Sequence, residues 1–176
     1  LIALAIRAFN ISHDINIFDT QIMASLALRE NIIIDMKTGE GKTFVSILSS
    51  FLRFSITQEK VYILTANDYL AKRDSLIAMK FFEIFDIKAG FILSTKSHEE
   101  KKKVYNGDII YSNAQELIFD YLRDNLVYDI EDRLLEALDH LIIDEADIPA
   151  WDDLSPELQG EIFAATAPPE TDTIIF

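Results

Sequence analysis

Cysteine is absent from this 176-residue chain, which excludes disulfide staples, thiolate nucleophiles and cysteine-ligated metal. Glycine and proline are scarce, five and four, and all four prolines lie beyond residue 148. That scarcity leaves no low-complexity linker and no repeat of the collagen kind. No apolar run approaches the roughly 18 residues of a membrane-spanning helix, and no charged-then-apolar leader opens the chain. Basic residues are outnumbered, 16 Lys and Arg against 30 Asp and Glu, for a net charge of −14. An unaided nucleic-acid-binding module needs a basic surface, so the charge argues against that class. His13, His98 and His140 stand far apart without metal-ligand spacing, which argues against zinc. The first residue is Leu1 rather than methionine, so a piece of a longer protein is expected.

What is present is ordinary globular composition, 49% apolar and 26% charged. The length suits one domain with a sizeable core. Leu1 to Phe9 is apolar nearly all round and reads as a buried helix. Asp19 to Glu30 places Ile22, Met23, Leu26 and Ala27 at helical spacing. Ile32-Ile33-Ile34 is a short unbroken apolar run, the pattern of a buried parallel strand. A helix is expected from Lys42 to Phe54. Strands are then expected over Val61–Leu64, Ala89–Leu93, Asp108–Tyr111, Leu141–Ile143 and Ile162–Ala165. The helices between them read as Asp68–Phe85, His98–Tyr105 and Ala114–Asn125, and Thr173–Phe176 is ambiguous. This alternation predicts an α/β fold with a mostly parallel sheet covered on both faces. Ligands in such sheets bind beyond the carboxyl ends of the strands.

Two motifs fall at such ends. Met36-Lys37-Thr38-Gly39-Glu40-Gly41-Lys42-Thr43 matches the phosphate loop G-x-x-x-x-G-K-[ST] everywhere but at its first position, where Met36 replaces Gly. Gly39 and Gly41 let backbone N–H groups crowd around phosphate oxygens, and the following helix points its positive end at them. Lys42 supplies a charge for the terminal phosphates and Thr43 a hydroxyl for Mg2+. The bland reading is a strand-to-helix turn with a chance Gly-Lys-Thr. Asp144-Glu145-Ala146-Asp147 follows the apolar Leu141-Ile142-Ile143. In a phosphate-loop ATPase the Asp holds magnesium through water and the Glu orients and deprotonates the attacking water, roles that fall to Asp144 and Glu145. The bland reading is a solvated acidic loop.

The Asp-Glu-Ala-Asp sequence is the signature of superfamily-two, helicase-like motors, and longer words resemble the SecA preprotein translocase motor family. Met36 to Thr43 is similar to its phosphate loop, including the departure at the first position. Thr65-Ala66-Asn67-Asp68-Tyr69-Leu70-Ala71-Lys72-Arg73-Asp74 resembles its second motif, apart from Ala66. Phe119-Asp120-Tyr121-Leu122-Arg123-Asp124-Asn125 resembles another of its segments, with Tyr111 to Glu116 a looser match just ahead. Phe18-Asp19-Thr20-Gln21 is similar to the segment whose Gln recognises adenine. A Gln amide pairs with both a donor and an acceptor edge of that base, which would favour ATP over GTP. Ala164-Ala165-Thr166 resembles the helicase-type Ser-Ala-Thr element, with Ala for the first Ser.

The resemblance implies a three-layer, RecA-like phosphate-loop domain spanning residues 1–176, its helical start at 1–30 included. It implies an ATPase using Mg2+ with ATP or ADP, completed by a second RecA-like motor domain that this chain lacks. The implied partners are that domain, a polypeptide substrate and a membrane translocation channel. The implied setting is cytoplasmic, peripheral at the membrane through partners. The chain also departs from the family. Thr166 stands only 19 positions after Asp147, too few for the preprotein-gripping domain that SecA carries there. Either the motor lacks the clamp or the clamp has been removed. Two other readings remain: a nucleic-acid helicase domain with the same site, and a non-hydrolysing scaffold or regulatory protein. Elsewhere the bland readings lead. Lys101-Lys102-Lys103 reads as a solvated helix face and Trp151 as a packing residue. Asp120 and Arg123, three apart, are placed to pair. Arg73 and Arg123 brace an interdomain contact or form ordinary salt bridges.

Overall fold

The computed structural model describes residues 1–30, 33–129, 132–135 and 138–144, together with the backbone of 172–175. The strands are β1 (Val61–Thr65), β2 (Ala89–Phe91), β3 (Ile109–Asn113) and β4 (His140–Ile143), and β5 (Asp172–Ile175) closes the series. The three inner strands before the chain end are buried runs, and the edge strand β2 is half-buried. All pair in parallel, in the order β2-β3-β1-β4-β5. Helices α1 (Ile2–His13), α2 (Asp19–Ala27), α3 (Lys42–Thr57), α4 (Asp68–Phe82), α5 (His98–Tyr105) and α6 (Ala114–Asp124) carry the chain between them. Single 3-10 turns extend α2 at Leu28–Glu30 and α4 at Glu83–Phe85.

Because side chains alternate across a strand, one pleat face joins Ile63, Tyr111 and Ile142 to α1, α3 and α4. The other joins Tyr62, Leu64, Ile110, Leu141 and Ile143 to Tyr105 of α5 and Leu117 of α6. The result is three layers, as the alternation predicts. Helix starts are set by side-chain acceptors. Asn67 accepts from Leu70 N and Asn113 from Glu116 N, and Ser97 with Glu100 forms a capping box. Those hydrogen bonds hold the Glu100 carboxyl below its usual range.

Four expectations need correction. Helix α1 is not buried all round: Ala5, Ala8 and Phe9 face inward while Leu4 and Ile11 are exposed. It lies as an outer helix over α3 and α4, so one stripe suffices. Helix α2 turns Gln21 and Ser25 inward, leaving Met23 and Leu26 exposed. Its contact with α3 is polar and close, with the Ser25 hydroxyl donating to Gln21 O at 2.8 Å and lying 3.2 Å from Val45 O. Residues 33–37 form no strand, and Ile33 is 72% exposed. Beside β4 the ladder position goes to β5, in the register Leu141↔Thr173 and Ile143↔Ile175. Ile32 itself and the strand expected over Ile162–Ala165 lie outside the described residues. Lys101, finally, is buried rather than solvated, at 3% exposure. Its ammonium meets Asp120 at 2.7 and 2.9 Å and also Glu116, and the Tyr105 hydroxyl donates to Asp120 at 2.9 Å. Burial and then Asp120 push the Tyr105 pKa up. Asp120 pairs with Arg123, as the spacing predicts, at 3.4 Å.

Candidate functional site

Met36 at the head of the loop has a packing explanation. Its side chain is buried with Leu28 and Val45, against Ala24 and Ile34. It anchors the loop in apolar contact and leaves the phosphate-facing work to the residues after it. Gly39 and Gly41 adopt φ of +89° and +85°, a region costly for any residue with a Cβ. Gly41 is the N-cap of α3 and offers no side chain to its N-terminus. Phe44 and Val45 donate back to Gly41 O, at 2.9 and 3.2 Å. Lys42 and Thr43 open a 16-residue helix at its positive end, a ready anion site. The loop is braced by its own acid: Glu40 accepts from Lys37 N at 3.0 Å and donates its N–H to Lys37 O at 3.2 Å.

Gln21 is not an exposed helix-start residue. It is 6% exposed and reaches across to the loop. Its Oε1 accepts from Phe18 N at 3.0 Å, and its Nε2 donates to Glu40 O at 2.8 Å. The partners fix which end is which. Each end keeps one further position, a lone pair and an N–H, side by side. A cleft of about 760 Å³ opens here, with Phe18, Gln21, Met23, Ile34, Gly39 and Glu40 in its walls. That size is usual for small-molecule sites.

Asp144 follows β4 directly, and its N–H donates to Leu64 O at 2.9 Å, extending the β1 ladder. Two residues beyond Ile142, it shares the pleat face of Tyr111. Tyr111 is 0% exposed, and its hydroxyl has no hydrogen-bond partner within 3.5 Å among the described residues. Its surroundings are polar. Burial first, then the Asp74 carboxylate, push its pKa up; the Ser46 hydroxyl opposes them and Asp144 adds to them. Ser46 lies one turn past Thr43 and donates to Thr43 O at 2.9 Å. The α3 start and the β4 end therefore both act on one hydroxyl. Glu145 and Asp147, with Trp151 and Ala164-Ala165-Thr166, lie outside the described residues.

The other motif words do structural work. Asp68 accepts from Ser94 N and Oγ at 2.9 and 2.8 Å and from Asn113 Nδ2, tying three strand ends together. Arg73 grips the buried Asp74 with two bonds, 2.7 and 3.1 Å. Asp124 accepts from the N–H groups of Leu134 and Leu135. Sequence reasoning missed Ser25, Ser46 and the isolation of the Tyr111 hydroxyl; one signal was available, since Ser46 stands three residues after Thr43. Among the described residues no group of His, Asp and Glu could hold a metal unaided. No helix there is long and apolar enough to cross a membrane. A Mg-nucleotide fits the donor set: glycine-formed backbone, an uncapped helix start, Lys42, the Thr43 hydroxyl and a strand-end carboxylate.

Residues 1–153 match the family model described as the SecA DEAD-like domain. The protein translocase subunit SecA of Gracilaria tenuistipitata var. liui is 44% identical over 131 residues, 74% of this chain and 15% of that protein. That of Borrelia garinii subsp. bavariensis is 46% identical over 130 residues, 74% and 14%. That of Rickettsia bellii is 39% identical over 141 residues, 80% and 15%. The chain thus spans about 15% of the length of these relatives. Among solved structures, the RNA helicase Prp28 from Chaetomium thermophilum bound to ADP superposes with a TM-score of 0.73 at 21% identity. That likeness covers 97% of this chain and 42% of the helicase, and it is one of fold alone.

Proposed function

Since the chain belongs to the SecA DEAD-like domain family, we propose that it is the Mg-ATP-binding first motor domain of a SecA-like ATPase that drives protein translocation. The observation that carries this reading is the phosphate loop, with its two left-handed glycines, opening an uncapped helix. In it, Lys42 holds the terminal phosphates and the N–H groups of residues 39–43 surround them. Thr43 and, through water, Asp144 hold magnesium. The metal neutralises charge on the phosphate oxygens. Glu145 takes a proton from the attacking water. Gln21 offers its remaining N–H and lone pair to the adenine edge, while its other two bonds hold it against Phe18 and the loop.

The acidic balance, net −14, supports a polypeptide rather than a nucleic acid as the moved polymer. A second RecA-like domain completes the site and supplies an arginine to the transition state. The membrane translocation machinery receives the polypeptide. Calorimetric titration with Mg-ATP and Mg-GTP tests the reading. Wild type is expected to prefer ATP, Lys42→Ala to lose binding, and Gln21→Ala to bind more weakly without base preference. A folded wild-type chain that takes up no nucleotide at millimolar concentration, alone or with the second domain present, would sink it.

A further inference from the structure

A buried hydroxyl without a hydrogen-bond partner is costly, and native folds keep few of them. The Tyr111 hydroxyl is one such group, placed beneath the carboxyl edge of the sheet. Sheet register aims it. Tyr111 pairs with Ile63, Ile63 with Ile142, and Asp144 lies two residues further along the same pleat face. Ser46, Asp74 and Asp144 act on it electrostatically. Ser46 donates its proton to Thr43 O and is a neutral acceptor beside two carboxylates, which bind an O–H more strongly. Both Asp74 oxygens are gripped by Arg73. Of the two neighbouring carboxylates, Asp144 is the one whose orientation the nucleotide site uses.

We propose that Tyr111 is a positioning residue for Asp144, its O–H donating to one carboxylate oxygen when the other turns toward the metal-bound water. This rests on the assignment of Asp144 above and goes beyond it. The tyrosine touches neither nucleotide nor metal. It fixes the rotation of the carboxylate, so it adds to magnesium-dependent affinity and nothing to nucleotide affinity without the metal. Its hydroxyl has no hydrogen-bond partner within 3.5 Å among the described residues, so the phenylalanine variant sacrifices little there.

The test compares wild type, Tyr111→Phe, Asp144→Asn and the double variant by thermal melting and by ADP and ATP titration, with Mg2+ and with EDTA. Tyr111→Phe is expected to melt at or above wild type without nucleotide and to bind ADP unchanged in EDTA. It loses about tenfold of the affinity that Mg2+ adds, the weight of one hydrogen bond to a charged group. In the Asp144→Asn background the same substitution changes nothing further, because the two act as a unit. An unchanged magnesium increment in Tyr111→Phe overturns the proposal. So does a variant that melts lower and loses EDTA and Mg2+ affinity in step, the mark of a packing role. A full magnesium increment in Asp144→Asn defeats the assignment of Asp144 itself, and the dependent role of Tyr111 with it.

Discussion

At the scale of the residue, the two loop glycines look alike in sequence and differ in their surroundings. Both have positive φ, so an alanine at either costs about 1–2 kcal/mol of backbone strain. A Cβ on Gly39 would meet nothing within 4 Å, whereas one on Gly41 would come within 2.3 Å of Gln21 Nε2. Both Gly39→Ala and Gly41→Ala are therefore expected to melt lower, Gly41→Ala by more. Only Gly41→Ala should also blunt the preference for ATP over GTP, because it pushes the amide off Glu40 O. Equal base preference in the two variants, measured by titration, would disconnect Gln21 from Gly41. The positive φ of the two glycines was legible because a tight turn into a helix favours glycine. The contact that makes Gly41 different was not, since it joins residues 20 apart through a side-chain rotamer. His13 shows the same limit. Burial lowers its pKa, and its ring nitrogens meet Ser12 Oγ at 2.6 Å and Ile77 O at 3.0 Å, a partner 64 residues on.

At the scale of the element, the central strands β1, β3 and β4 were legible, whereas the strand expected at Ile33-Ile34 and several helix faces were not. Fully buried runs such as Val61–Thr65 announce themselves by composition. Helix α2 did not, because its close contact with α3 selects a serine and a glutamine that hydrogen-bond rather than the larger apolar residues. Lys101, Lys102 and Lys103 are chemically identical in the sequence. What separates Lys101 is helical phase: it lies four residues before Tyr105, and Glu116 lies four before Asp120, so two matching faces meet between α5 and α6. Removing Lys101 leaves two carboxylates facing each other in a buried place. Lys101→Met is expected to destabilise by about 3–5 kcal/mol, the usual cost of breaking a buried pair from one side. Arg123→Ala, which removes a side chain 67% exposed at 3.4 Å, is expected to cost under about 1 kcal/mol. Urea denaturation of the two variants checks the contrast; equal losses would mean that the cluster is held from outside by Arg123.

At the scale of the whole molecule, the long words of resemblance made the fold class legible, and the matched span of residues 1–153 agrees with them. The proposed completion of the site by a second domain came from the resemblance alone, because the residues of one domain do not spell out those of another. The consequence is kinetic. With Lys42, Thr43 and Asp144 in the proposed roles, the chain should bind Mg-ATP with little help. Charge that develops on the transferring phosphoryl group needs a further cation, and the arginine that supplies it in related motors is worth roughly 10³–10⁵ in rate. Phosphate release by this chain alone at saturating Mg-ATP is therefore expected to be slow. Adding the second RecA-like domain of a SecA relative should raise it by several orders of magnitude, provided the two domains associate. Arginine-to-alanine substitution in the added domain should cancel the rise without loosening ATP. A chain that turns over rapidly by itself would show that its own cations suffice, and the divided site would have to be abandoned.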